Sequence, residues 1–149
     1  MSGRDLVERT RALLPGAPEI GYAFVATRGL RPGGEVVGMP LALVTVVLLP
    51  GGSLLASALI GAVAGGAIAL VLGWRRRFFT IAFTTDSAYV IKNDRVRRAD
   101  PRTLELTVTR ADPVVFRDGG DPSVEVAGTR YWVSGSDADE ARRAATSWR

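Results

Sequence analysis

Residues 78–94, FFTIAFTTDSAYVIKND, alternate large apolar side chains with small or polar ones: Phe79, Ile81 and Phe83 fall on one side, Thr80, Ala82 and Thr84 on the other. Successive side chains of a strand point to opposite faces, so this period of two predicts a strand over 78–84 with one buried face. Thr85, Asp86 and Ser87 supply turn chemistry, 88–92 returns as a second strand, and Asn93 and Asp94 end it. The segment reads as a β-hairpin.

Downstream the same grammar continues. Arg95, Arg97, Arg98 and Arg102 crowd a loop interrupted by Asp94 and Asp100. Over 103–109 the alternation is clean, with Leu104, Leu106 and Val108 expected inward and Thr103, Glu105, Thr107 and Thr109 outward. Short strands are expected over 114–117, 124–127 and 130–133, between turns rich in Gly, Asp and Pro. Ser136 and Asp139 have the spacing of a capping box, Asp139 and Arg143 that of an i, i+4 pair, and Ala138, Ala141, Ala145 and Trp148 recur at helical spacing. These features predict an amphipathic C-terminal helix.

Upstream, the hairpin is preceded by Arg75, Arg76 and Arg77 and by 36–74, VVGMPLALVTVVLLPGGSLLASALIGAVAGGAIALVLGW, which holds no Asp, Glu, Lys or Arg. As one helix this stretch would be about twice the hydrocarbon thickness of a bilayer. Pro50, Gly51, Gly52 and Ser53 divide it, because Pro lacks the amide proton a helix interior needs and Gly permits a reversal. The reading is a transmembrane helical hairpin with arms over about 36–49 and 53–74. The first arm is short and either crosses or re-enters the same face.

Arg28 and Arg31 before the hairpin, and Arg75, Arg76 and Arg77 after it, place both termini in the cytoplasm by the positive-inside rule, with Trp74 at the interface. These six residues are the expected contacts to the bilayer and its anionic lipids. Ser57, Gly61, Gly65, Ala69 and Gly73 form a small-residue ridge for helix packing, against either the first arm or a second copy of the chain.

At the N-terminus, Ser2 and Asp5 have capping-box spacing, and Leu6, Val7, Leu13 and Leu14 fall near one helical face until Pro15 and Gly16. That face packs either on the folded domain or on a membrane. Residues 20–27 read as a strand, the first of seven. The domain plan is thus 1–35 for the N-terminal helix and first strand, 36–74 for the hairpin, and 75–149 for the remaining strands and last helix.

Seven short strands followed by one amphipathic helix, together with the strand, Thr-Asp turn and strand of FFTIAFTTDSAYVIKND, resemble bacterial pleckstrin-homology-like domains. The order of helix, strand, apolar hairpin and remaining strands is similar to small actinobacterial membrane proteins that carry such a domain. The resemblance implies an α+β membrane protein: a bent seven-stranded antiparallel sandwich closed by a C-terminal helix, with the membrane hairpin inserted after the first strand. In lipid-binding eukaryotic pleckstrin-homology domains, basic residues around the connection of the first two strands grip the phosphoinositide headgroup. Here that connection is the apolar stretch, so no family binding residue carries over.

Nineteen Lys plus Arg against fifteen Asp plus Glu give a net charge of +4, with no dense basic run interleaved with aromatics, and this argues against nucleic acid. No cysteine and no histidine are present, which removes thiolate nucleophiles, imidazole bases and the usual zinc ligands; no cofactor is expected. The carboxylates stand in turns and at helix starts, so no catalytic residue is assigned. The expected function is a membrane-anchored, cytoplasm-facing interaction or scaffolding module without enzymatic activity, contacting the bilayer and a protein partner. The alternative is a small oligomeric membrane protein, a pore or channel-associated subunit, acting through its helices.

Overall fold

The computed structural model describes residues 3–16, 18–29, 63, 66, 67, 71 and 76–148. The chain divides into two compact units, one of residues 1–29 and 77–149, the other of residues 30–76. In the second unit Val63, Gly66, Ala67 and Val71 are helical.

The first unit is one seven-stranded antiparallel sheet with two helices. Helix α1 (Gly3–Leu13) leads into β1 (Tyr22–Arg28); β2 (Arg77–Phe83), β3 (Ser87–Asn93), β4 (Pro101–Thr109), β5 (Val114–Arg117), β6 (Ser123–Val126) and β7 (Thr129–Val133) follow. A single 3₁₀ turn (Gly135–Asp137) then opens α2 (Ala138–Ser147). The strand order is β4-β3-β2-β1-β7-β6-β5, so β1 is central and β4 and β5 are the edges.

The β2–β3 hairpin is held at its turn by Thr84, whose Oγ1 accepts the Ser87 N–H at 3.1 Å and donates to the Ser87 carbonyl at 2.9 Å. Short polar side chains that bond their own backbone in this way replace ladder bonds at a reversal. The β6–β7 hairpin turns on Ala127 and Gly128, at φ 48° and 74°. A two-residue loop of type I′ takes two successive left-handed residues, a conformation that Gly adopts freely and Ala with strain.

Two apolar clusters cover the two faces. The larger collects Phe24, Phe79, Ile81, Phe83, Val124 and Tyr131 with Ala141, Ala144, Ala145 and Trp148 of α2. The smaller sets Leu6 and Leu14 on Ile20, Ala23, Ala82 and Ile91. Ala23 and Ala82 matter there because their small side chains let α1 lie close to the sheet. Helix α1 therefore packs on the sheet, while Leu13 at its end stays exposed. Ser2 of its expected capping box lies outside the described residues.

Several expectations are corrected. Among the described residues no helix is long and apolar enough to cross a membrane. The assignments to an α+β membrane protein, to transmembrane helices in a hairpin, and to a multi-pass location with both termini cytoplasmic are therefore withdrawn. The two arms, 36–49 and 53–74, lie outside the described residues apart from the four helical positions above. The physical reason is that hydropathy reports apolar composition, which a segment buried in protein shares with one in lipid.

The sandwich is likewise replaced by a single continuous sheet. Strand β2 has both faces covered rather than one, because α1 roofs Ala82 and a side-chain bond from Thr80 to Asn93 occupies the other gap. In β4 the alternation fails: Leu106 pairs with Val90, yet Leu104 pairs with Ile91, so Glu105 is an extra residue that turns Leu104 to the opposite face. A second irregularity at Arg102 adds to the bend. Bulges of this kind twist an edge strand and blunt it against pairing with other chains.

At α2 the expected capping box is not formed: the N-cap is Asp137, without a side-chain cap bond, after the 3₁₀ turn. Asp139 pairs with Arg142 at 3.4 Å instead of Arg143, whose Nε donates to the Asp139 carbonyl. Ala144 is buried, which the helical spacing missed, and Ala138 is only half-buried.

Candidate interaction surfaces

Of the six residues expected at a membrane interface, Arg28, Arg76 and Arg77 are described, and Arg31, Trp74 and Arg75 are not. The ridge residues Ser57, Gly61, Gly65, Ala69 and Gly73 all lie outside the described residues. Arg28 and Arg77 are brought side by side as a cross-strand pair of β1 and β2. Like charges placed opposite each other are destabilising, and Glu105, the bulge residue of β4, offsets this from 3.6 Å away from Arg28. Arg76 belongs to the second unit.

The 94–100 loop leaves the same ends of β3 and β4. Its backbone is braced from both sides. The Asp94 carboxylate accepts the N–H groups of Val96 at 2.8 Å and Arg97 at 3.0 Å, and the Asp94 N–H reaches the Asp100 carbonyl at 2.8 Å. Asn93, buried, accepts from Thr80 Oγ1 at 2.9 Å and donates to the Arg98 carbonyl at 2.8 Å. Asp100 pairs with Arg102 at 3.1 Å and with Arg9 of α1 at 3.2 Å. Arg98 lies over the Phe78 ring at 5.0 Å.

The backbone hydrogen bonds from Arg97 and Val96 hold the Asp94 carboxyl below its ordinary value of 3.8, with Arg102 adding to the effect. A lowered folded-state value means that this contribution is complete above the ordinary value and is lost as pH falls through the lower one. Protection of the Val96 and Arg97 amides, taken as exchange relative to the intrinsic rate at the same pH, should therefore hold at neutral pH and be lost only below pH 3.8, the ordinary carboxyl value. Asp94→Ala should remove that protection at every pH. Absence of protection at neutral pH in the native chain would contradict the brace.

At the opposite edge, β5 and α2 flank a cleft of about 240 Å³ lined by Phe116, Asp118, Arg142, Ala145 and Thr146. Phe116 supplies an apolar wall, and the Arg142 guanidinium sits 5.5 Å above its ring. Arg142 also pairs with Asp118 at 2.6 Å and Asp139 at 3.4 Å. Strand β5 bonds to β6 on one side and, among the described residues, to no strand on the other. Val115 on it is exposed.

A second cleft, about 370 Å³, lies where Tyr22, Phe83 and Trp148 meet Glu19 and Arg110. Arg110 there donates to the carbonyls of Thr85 at 3.0 Å and Ser147 at 3.1 Å, tying the end of α2 to the β2–β3 turn. Burial pushes the Tyr131 hydroxyl above its ordinary value of 10.0. Among the described residues there is no group of three His, Cys, Asp or Glu side chains arranged to hold a metal ion.

The β5 cleft was not found in the sequence. Asp118 accepts the Gly119 N–H at 3.0 Å within its own turn, and its pairing with Arg142 joins residues far apart in the chain. No family model, curated relative or solved structure matches this chain.

Proposed function

We propose that the sheet unit is a non-enzymatic interaction module of the pleckstrin-homology-like kind, and that it takes an extended peptide against β5 beside α2. The observation that carries this is the open edge of β5 next to a cleft with an apolar wall and a cation. An exposed edge offers main-chain hydrogen bonds to an added strand, and alternate side chains of that strand enter neighbouring pockets.

The other edge is the poorer acceptor, since β4 carries two irregularities that interrupt a regular ladder. Binding is favoured over catalysis by the inventory: histidine and cysteine are missing from the chain, and the carboxylate lining the cleft, Asp118, is engaged by Arg142. The cation selects for a peptide with a carboxylate near the residue that rests on Phe116, because such a ligand replaces Asp118 as the partner of Arg142.

Selection of displayed peptides against the full chain tests this. Extended sequences with an acidic residue should emerge, and Arg142→Glu should weaken them by roughly tenfold, the order expected for a charge-assisted contact. N-methylation of alternate peptide amides should abolish binding. Peptides that tolerate both changes would show that β5 is not the site.

A further inference from the structure

We propose that the 94–100 loop is a peripheral docking point for an anionic lipid surface. The starting observation is that Val96 is 89% exposed, the most exposed large apolar side chain among the described residues. An isolated exposed Val is ordinary on a loose loop. This loop is braced, however, by Asp94 on the Val96 and Arg97 amides, by the Asp94 to Asp100 backbone bond, and by Asn93 on the Arg98 carbonyl. The fold therefore holds an apolar tip in water rather than letting it turn inward.

Cations surround that tip. Arg95 and Arg97, on either side of Val96, are exposed and in no ion pair among the described residues. Arg98, Lys92 and Arg77 add charge near this end of the sheet. The acids facing them are already occupied: Asp94 by two backbone amides and, at 3.9 Å, by Arg102; Asp100 by Arg9 and Arg102; Glu105 by Arg28. The surplus is positive and lies next to an apolar point.

The complementary surface must offer negative charge and, a few ångströms deeper, an apolar layer. The headgroup region of an anionic bilayer has that layering. A nucleic acid offers the charge, but the tip has no aromatic side chain to stack on bases. An acidic protein would need a socket shaped for one small side chain. The contact is reversible, involves only the loop, and requires no helix to cross the bilayer. It is also independent of peptide binding at β5.

Because the chain has no cysteine, Val96→Cys provides a single site for an environment-sensitive fluorophore in the full chain. Thr85→Cys, in the turn at the other end of β2 and β3, is the control. The expected result is a blue shift at position 96 on vesicles of equal parts phosphatidylglycerol and phosphatidylcholine, none on phosphatidylcholine alone, and none at position 85. Adding Arg95→Gln and Arg97→Gln should weaken the effect on the order of tenfold, and salt should weaken it further. Neither side chain makes a hydrogen bond or an ion pair among the described residues, so circular dichroism should be unchanged. A label at 96 that does not respond to anionic vesicles, or responds equally to neutral ones or at position 85, overturns the proposal. So does a response to an acidic protein or to RNA with none to vesicles.

Discussion

Trp148→Ala is expected to destabilise the sheet unit by about 3–5 kcal/mol, the range for truncating a large buried aromatic. Trp148 is only 6% exposed, its ring meets Phe83 edge-on at 5.4 Å, and its Nε1 donates to the Asp112 carbonyl at 3.0 Å. The rest of the buried face of α2 is alanine: Ala141, Ala144 and Ala145. Alanines bury little area each, so most of the helix's hold on the core comes from this one indole. Urea unfolding of the full chain, followed by circular dichroism, measures the loss. Trp148→Phe should recover most of it and leave a deficit of about 1 kcal/mol for the missing hydrogen bond. The Ala variant should also loosen the β5 cleft, whose second wall is α2. A loss under about 1 kcal/mol for Trp148→Ala would mean that α2 is held by something other than its terminal Trp.

Phe79→Ala should cost a similar amount, about 3–5 kcal/mol, for a different reason. Phe79 is fully buried on β2 and packs edge-on against Tyr131 of β7 at 5.3 Å. Strand β1 lies between these two strands in the sheet order, so the contact bridges over it and depends on the sheet curling toward its own core. Removing the ring leaves a cavity at that fold line and strips Tyr131 of an aromatic partner. Phe79→Leu keeps most of the volume and should lose less than half as much. The Tyr131 hydroxyl, raised by burial, should titrate closer to 10.0 in the Ala variant as water gains access, which ultraviolet absorbance at alkaline pH can follow. Equal stability of the Ala variant and the native chain would rule out the curled packing.

Much of the strand content was legible because alternation, turn residues and helical spacing are local signals. Phe79, Ile81 and Phe83 are buried together, and the Thr84 to Ser87 turn forms with Thr84 as its brace. Where local signals failed, a distant element had intervened. Thr80 and Ala82 alternate with the core residues as solvent-facing positions should, yet both are fully buried. Leu104 follows the period of two perfectly and still points away from Leu106, since Glu105 is absorbed as a bulge against β3. A bulge belongs to the pairing of two strands, and one strand's sequence does not display it.

The candidate surfaces divide in the same way. The arginine-rich loop was visible as composition, interrupted by Asp94 and Asp100. Pairing then assigned Arg102 to Asp100 and Asp94, set Arg98 over Phe78, and left Arg95 and Arg97 beside an exposed Val96. Of the six expected interfacial residues Arg31, Trp74 and Arg75, and all of the small-residue ridge, lie outside the described residues.

Within residues 78–94, two strands, the turn between them and the core side chains Phe79, Ile81 and Phe83 are legible locally, because backbone periodicity and turn chemistry act over a few residues. Tertiary structure alone decided that α1 covers the second face of β2, that β4 bends at Glu105, and that β5 is left as an open edge beside Arg142. Those outcomes depend on strand order and on contacts between distant residues, whose energies become available only once the strands have paired around the core.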